Sequence, residues 1–260
     1  MSHLLFSLMV AITCGSLSAQ SVLPSRGEFD AVSIQPSLAT EPSGFTAQAG
    51  GVTIRNTTLR RIITMVYEVD DRQLAGGPLW IDDDPFDIVA TAGPKVSRDQ
   101  LMGMTRALLA DRFKLALRPE VRELPVYELT TVRSDKRLGS GLRRSARTCR
   151  GGRSAERPGC ATRVAPGSIV STGTTMPAFV AKHLAPLLDR LILDRTGLEG
   201  TFDVELHFRT PSRVAPQTTP SSSSAGLFAA LETQLGLRLR ATSGSVPVLV
   251  VDRVERPSND

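Results

Sequence analysis

Four groups of residues recur in the same order in the two halves of this 260-residue chain. Thr57-Thr58-Leu59 opens an apolar-periodic stretch, and Thr174-Thr175-Met176 opens another. Phe86-Asp87-Ile88 is echoed by Phe202-Asp203-Val204, and Leu101, Met104 and Leu108 by Leu227, Leu231 and Leu235. Pro125-Val126, leading to Val132, is echoed by Pro247-Val248, leading to Val254. The offsets of 117, 116, 126 and 122 residues leave only modest changes in loop length between the copies. A recurrence of this kind makes each copy one supersecondary unit, so the repeat has to be recognised before the fold is argued.

The N-terminus points to export. Residues 4–14 are almost wholly apolar, and Gly15-Ser16-Leu17-Ser18-Ala19 precedes Gln20. That pattern is expected for a signal peptide over residues 1–19, although only His3 stands where a positive leader is usual. A buried N-terminal helix is the competing reading. The run is shorter than the roughly 20 apolar residues that a bilayer span requires. With the leader removed, the chain is expected in the periplasm or outside the cell. Cys149 and Cys160 then remain, and two cysteines in an exported chain are expected as a disulfide. So short a closed loop contributes roughly 2–3 kcal/mol in the chain-entropy model.

Charge is concentrated in one segment. The chain carries 31 Lys and Arg against 26 Asp and Glu, a net +5. Residues 133–163 hold ten basic residues and two acidic ones, a local +8, and the remaining 21 against 24 leave −3. The alkaline balance is thus a property of one insert. With 41% hydrophobic residues the rest can bury an ordinary core.

The periodicities give elements for each copy. Phe29 to Ile34 and Val52 to Ile54 are expected strands, with a polar stretch between them. Leu59, Ile62, Ile63 and Val66 mark a helix face, with Thr57 or Asn56 as its cap. Phe86 to Thr91 is a strand. Ser97-Arg98-Asp99-Gln100 has the form of a capping box opening a helix to about residue 111. Lys114 to Arg118 and Val126 to Val132 are expected as two strands of a hairpin. In the second copy, Ser168 to Thr172 is a strand. Met176 to Leu188 is a helix that Pro186 must kink or end. Leu191 to Leu193 and Phe202 to Phe208 are strands. Leu227 to Leu235 is a helix that Gly236 can stop, and Leu237 to Arg240 and Val246 to Val251 are two further strands. The expected class is α+β, an internally duplicated unit of roughly β-α-β-β-α-β-β with mixed or antiparallel sheets and packed helices. The expected organisation is a signal peptide (1–19), a first repeat (28–132), a basic variable insert (133–167) and a second repeat (168–257).

Chemistry-bearing patterns are thin. After the leader only His183 and His207 remain, and neither a His-Glu-x-x-His pair nor a Cys/His cluster of metal-ligand spacing occurs. Asp82-Asp83-Asp84 is followed at once by Pro85 and is expected as a solvated turn, because calcium loops space their oxygens at alternate positions. Ser221 to Ser224 lacks the nucleophile-elbow glycines. Asp87 and Asp203 occupy equivalent positions and could meet as a proton-sharing pair, but they sit inside strands after Phe, which favours a structural role. No catalytic, cofactor-binding or metal-binding residue is assigned, and no cofactor is expected. Arg143, Arg144, Arg147, Arg150 and Arg153 are the candidate polyanion contacts of the insert. No aromatic residue lies between 133 and 163 to stack a nucleic-acid base.

Several strings together resemble a known family. They are Phe29-Asp-Ala-Val-Ser-Ile-Gln-Pro36, Gly76-Gly-Pro-Leu-Trp80 with Phe86-Asp-Ile88, and Leu108-Leu-Ala-Asp-Arg-Phe-Lys-Leu115. Asp194-Arg-Thr-Gly-Leu-Glu-Gly200, Gly226-Leu-Phe-Ala-Ala-Leu-Glu-Thr-Gln-Leu-Gly-Leu237 and Val250-Val-Asp-Arg-Val-Glu-Arg-Pro257 complete the set. In this order the chain resembles a large paralogous family of exported proteins of soil bacteria built on a domain of unknown function. The resemblance covers about residues 28–257 and implies export. Some related domains sit beside membrane-embedded sensor-type metallopeptidases. The resemblance carries no activity and no site residue. The expected function is a non-enzymatic binding or interaction module of the cell envelope, with an unknown envelope or extracellular partner. The alternatives are an exported hydrolase and an envelope protein adhering to anionic polymers or surfaces through its insert.

Overall fold

The computed structural model describes residues 27–38, 42–135, 137–149, 160–209 and 222–257. The expected signal peptide lies outside the described residues. In chain order the first elements are β1 (Ala31–Pro36), β2 (Gly44–Gln48), β3 (Gly51–Thr58), α1 (Leu59–Tyr67), β4 (Leu74–Gly76), α2 (Trp80–Asp83) and β5 (Pro85–Thr91). Then come α3 (Arg98–Arg112), β6 (Ala116–Thr131), β7 (Leu142–Arg144), β8 (Thr162–Ala165) and β9 (Ser168–Thr175). The last are α4 (Met176–Phe179), β10 (Leu191–Asp194), β11 (Thr201–His207), α5 (Ser222–Ala230) and β12 (Leu237–Arg253). The class is α+β, with mixed and antiparallel sheets. The chain divides into two compact units, one built on residues 27–57 and 85–112, the other on 58–84 and 113–256.

The first unit holds a four-stranded sheet in the order β1-β5-β3-β2. β1 runs antiparallel to β5 from Ala31 opposite Thr91 to Pro36 opposite Phe86. Phe86, Ile88 and Ala90 of β5 and Val52 and Ile54 of β3 are buried, at the alternate spacing that a half-buried sheet requires. β2 and β3 form a hairpin around Ala49-Gly50. β2 lies in the stretch expected to be polar loop, because only Phe45 and Ala47 of it turn inward. α3 opens with the expected capping box. The Ser97 N–H donates to Gln100 Oε1 at 2.8 Å and the Gln100 N–H to Ser97 Oγ at 3.3 Å. Leu101, Met104 and Leu108 are on its buried face, as expected.

The second unit holds two four-stranded sheets. One has the order β7-β11-β9-β8, in which all three neighbouring pairs are antiparallel. Residues 133–167, expected as a variable insert, therefore contribute two edge strands, β7 and β8. The order matches β1-β5-β3-β2 strand for strand when β9 is set on β3 and β11 on β5. Its core gathers Met176, Phe179, Phe202, Leu206, Leu231 and Leu235, among others. α1 buries Leu59, Ile62, Ile63 and Val66, but its cap residue is Thr58, with no side-chain bond, in place of the expected Thr57 or Asn56.

The other sheet of this unit has the order β10-β6-β12-β4. β6 and β12 form one antiparallel ladder from Leu237 opposite Thr131 to Arg253 opposite Ala116. This corrects the expected hairpin of two strands in 114–132, and likewise the two separate strands in 237–251. Each is a single strand, of 16 and 17 residues. The three prolines inside these strands are accommodated by register. The Leu129 carbonyl turns away from β12 to accept the Arg195 N–H at 2.8 Å, and the Pro247 carbonyl turns away from β6 to accept from Gln73 Nε2 at 3.0 Å. Strand alternation then aims the backbone of Pro119, Pro125 and Pro247 outward, where no ladder N–H is missed. The short outer strands are exchanged between the halves. β10 runs parallel to β6, and β4 runs parallel to β12.

A steric consequence is testable at Gly51. Its φ is 145°, and a Cβ there would stand 2.1 Å from the Ala90 carbonyl oxygen, whereas Gly44 has open space. Gly51→Ala is expected to lower stability by about 1–3 kcal/mol in urea unfolding. Gly44→Ala is expected to stay within about 0.5 kcal/mol, as at ordinary surface positions. Equal effects would contradict the packing of β3 on β5.

Candidate functional site

The candidate site in the second unit begins at an irregularity in β9. The pairing of β11 with β9 shifts register between Phe202 and Val204, leaving Thr172 and Gly173 outside it. Gly173 takes a left-handed φ of 64°, and a Cβ there would stand 2.7 Å from Cys149 Sγ. The Gly173 N–H donates to Asp203 Oδ1 at 2.9 Å. The first unit has the same device. Asn56, at φ 43°, donates its N–H to Asp87 Oδ1 at 2.7 Å. The recurring Phe-Asp dipeptide thus has a physical role. Its Phe is buried, and its carboxylate accepts a backbone N–H at the left-handed residue just before a helix. Each aspartate expected as structural is engaged in this way.

Beyond the bulge, Thr175 Oγ1 accepts the Ala178 N–H at 3.4 Å and starts α4. The helix continues as a π-helical turn over Val180–Leu184 and a 3₁₀ turn over Ala185–Leu187, so Pro186 ends it as expected. Widened π turns are frequent at functional sites because they re-aim side chains. Here the turn carries Lys182 and His183 to a cavity of about 690 Å³. Hydroxyls dominate the wall. β9 supplies Ser171, Thr172, Thr174 and Thr175, and β8 supplies Thr162, whose Oγ1 lies 2.9 Å from Ser171 Oγ. Thr148 and Thr201 complete a set of seven. Among the described residues the wall contains no Asp, Glu, Asn or Gln, and no carboxylate pairs with Lys182. Burial, and secondarily the Lys182 ammonium, holds the His183 imidazole below its usual range.

The other sequence candidates fall in several places. Cys149 and Cys160 stand at disulfide distance, with Cα atoms 5.7 Å apart, and the Cys149 N–H donates to the Gly173 carbonyl at 3.0 Å. Cys149 also lines the cavity. Arg143 and Arg144 are successive residues of β7 and so point to opposite faces. Arg143 Nε donates to the Ser140 carbonyl, while Arg144 lies 5.5 Å over the Phe202 ring and donates to the Glu199 carbonyl beside the cavity residue Gly200. The Arg147 N–H donates to Ser145 Oγ. Arg150 and Arg153 lie outside the described residues. Asp82 pairs with Arg60 and Asp84 with Arg256, which also lies 5.1 Å over the Trp80 ring. No group of His, Cys, Asp and Glu suited to a metal ion occurs among the described residues. His207 is exposed, 3.3 Å from Glu205 Oε1.

A second cavity in this unit, of about 790 Å³, lies among Asp70, Arg72, Val180, Leu188 and neighbours. Arg72 is committed there to the fold. It pairs with Asp70 at 2.7 and 2.8 Å and donates to the Leu188 carbonyl at 3.1 Å. The Arg72 hydrogen bond holds the Asp70 carboxyl below its usual range. The hydroxyl-lined cavity has the chemistry more open to a ligand.

Comparison with protein families matches residues 60–254 to a family described as a protein of unknown function, DUF3738. The chain belongs to this family. The DUF3738 span runs from the first turn of α1 to the residue after β12 and includes every residue of the hydroxyl-lined cavity. No curated protein and no solved structure matches the chain. No helix among the described residues is long and apolar enough to cross a membrane.

Titration of His183 by NMR tests the electrostatics of the site. Its pKa is expected below the ordinary value of about 6.5. A folded-state value below the unfolded one means that its contribution to stability is present above that pH and is lost as pH falls toward the folded value. Lys182→Ala is expected to raise the His183 pKa. A wild-type value at or above about 6.5 would contradict the placement of the ring.

Proposed function

We propose that the chain is an exported, non-enzymatic binding module of the cell envelope, built from two copies of one α+β unit. The observation that carries the reading is the hydroxyl-lined cavity beside Lys182. Its wall offers hydrogen-bond donors and acceptors and one cation that no carboxylate opposes among the described residues, which suits recognition of a ligand. Export is supported by the apolar run and small residues of 4–19 and by the pairing of Cys149 with Cys160. Duplication is supported by the matching strand orders and by the Asn56–Asp87 and Gly173–Asp203 bonds.

The test is capture of envelope components by the chain from residue 20 onward, at low and high salt. Two variants run beside it, Ala178→Trp, which fills the cavity, and a charge reversal of Arg147, Arg150 and Arg153. A specific component retained at high salt by wild type and by the charge-reversed form, and lost with Ala178→Trp, is the expected result. Capture confined to low salt and abolished by charge reversal would replace this reading with polyanion adhesion, whose strength falls with salt.

A further inference from the structure

We propose that the hydroxyl-lined cavity takes an acidic sugar, a uronic-acid unit of an anionic glycan. The inference rests on the binding reading above and names its ligand class. Among the described residues the wall supplies seven hydroxyl groups drawn from three strands and a loop; Thr174 and Thr201 donate to backbone carbonyls and Thr162 and Ser171 bond each other, which leaves acceptor lone pairs on each. A hydroxyl both donates and accepts, so such an array is complementary to a polyol, whose own hydroxyls do the same.

The sign of the ligand charge follows from Lys182. Lys182 and His183 enter from one helical turn, and among the described residues no carboxylate stands in the wall to neutralise the Lys182 ammonium. Outside the wall, Arg144 is held beside the cavity residue Gly200 through its bond to the Glu199 carbonyl. A carboxylate against Lys182 forms a charge-assisted hydrogen bond, the strong class of such bonds. A neutral sugar leaves that ammonium without a counter-charge. The volume, about 690 Å³, falls in the range of small-ligand sites and admits one or two sugar rings.

The experiment follows the amide signals of Gly173 and Lys182 by NMR while glucuronate, glucose or inorganic phosphate is titrated into the purified protein. Glucuronate is expected to bind best, and Lys182→Ala to weaken it roughly ten- to a hundredfold, the loss of one charge-assisted bond. Lys182 is exposed, so this variant is expected to keep the fold. Phosphate binding as tightly as glucuronate would overturn the sugar assignment in favour of a simple oxyanion site. Glucose binding equally well, unaffected by Lys182→Ala, would overturn the acidic part and leave the binding reading standing. Failure of all three probes would overturn the ligand class. The binding reading is tested separately, by the salt-resistant capture that Ala178→Trp is expected to abolish.

Discussion

The carboxylate of Asp203 holds the candidate site together. By accepting the Gly173 N–H it satisfies a backbone donor that the bulge removes from the β9–β11 ladder. That bond fixes the left-handed residue, and the left-handed residue redirects the chain from β9 into α4. Ser171 to Thr175 form one wall of the cavity because the bulge sets their direction, and Lys182 and His183 form another because the helix starts where it does. Cys149 packs over the bare backbone of Gly173 and ties the basic segment to the same point. Loss of the carboxylate would leave a donor unsatisfied and, at the same time, release the geometry on which ligand recognition depends.

The neighbouring sheet supplies rigidity by a different route. β6 and β12 are too long for isolated edge strands, and their outer edges are only partly covered by β10 and β4. Pro119, Pro125 and Pro247 put their missing N–H groups on those outer edges. Arg118, Glu120 and Arg122 line up as an ion-paired row on β6, and Glu120 accepts from both arginines. Prolines and charges on an exposed edge discourage pairing with another chain. The same residues that look like breaks in sequence thus protect an unbroken strand.

Much of the class and order was legible in sequence, since period-two and helical spacings located β5, β11, α1, α3 and the cap at Gly236. The Phe-Asp recurrence identified the two structural carboxylates, although only the structure shows their amide partners. What sequence missed has specific causes. The hairpin expected in 114–132 is one strand, because Pro119 and Pro125 are tolerated through the direction of their backbone, a property of register that no local pattern displays. β7 and β8 are edge strands of three and four residues inside a basic segment, too short for alternation to register. The cavity draws its wall from β8, β9, β11 and a helical turn, so only long-range pairing brings the hydroxyls together. The run Ser171-Thr172-Gly173-Thr174-Thr175 was its one local signal, a cluster of hydroxyl side chains around a glycine. Lys182 was indistinguishable from any surface lysine until its helix turn was seen to face that cluster.

The central claim is that Asp87 and Asp203 perform the same task at corresponding points of the two halves, and that this task builds the site. The most direct measurement is the position of the backbone amide signals of Asn56 and Gly173 by NMR in wild type and in two variants. An amide bonded to a carboxylate lies downfield, so Asp203→Ala is expected to move the Gly173 signal upfield and leave that of Asn56 in place, and Asp87→Ala to do the reverse. A Gly173 signal indifferent to Asp203→Ala, or an Asn56 signal indifferent to Asp87→Ala, would contradict the account.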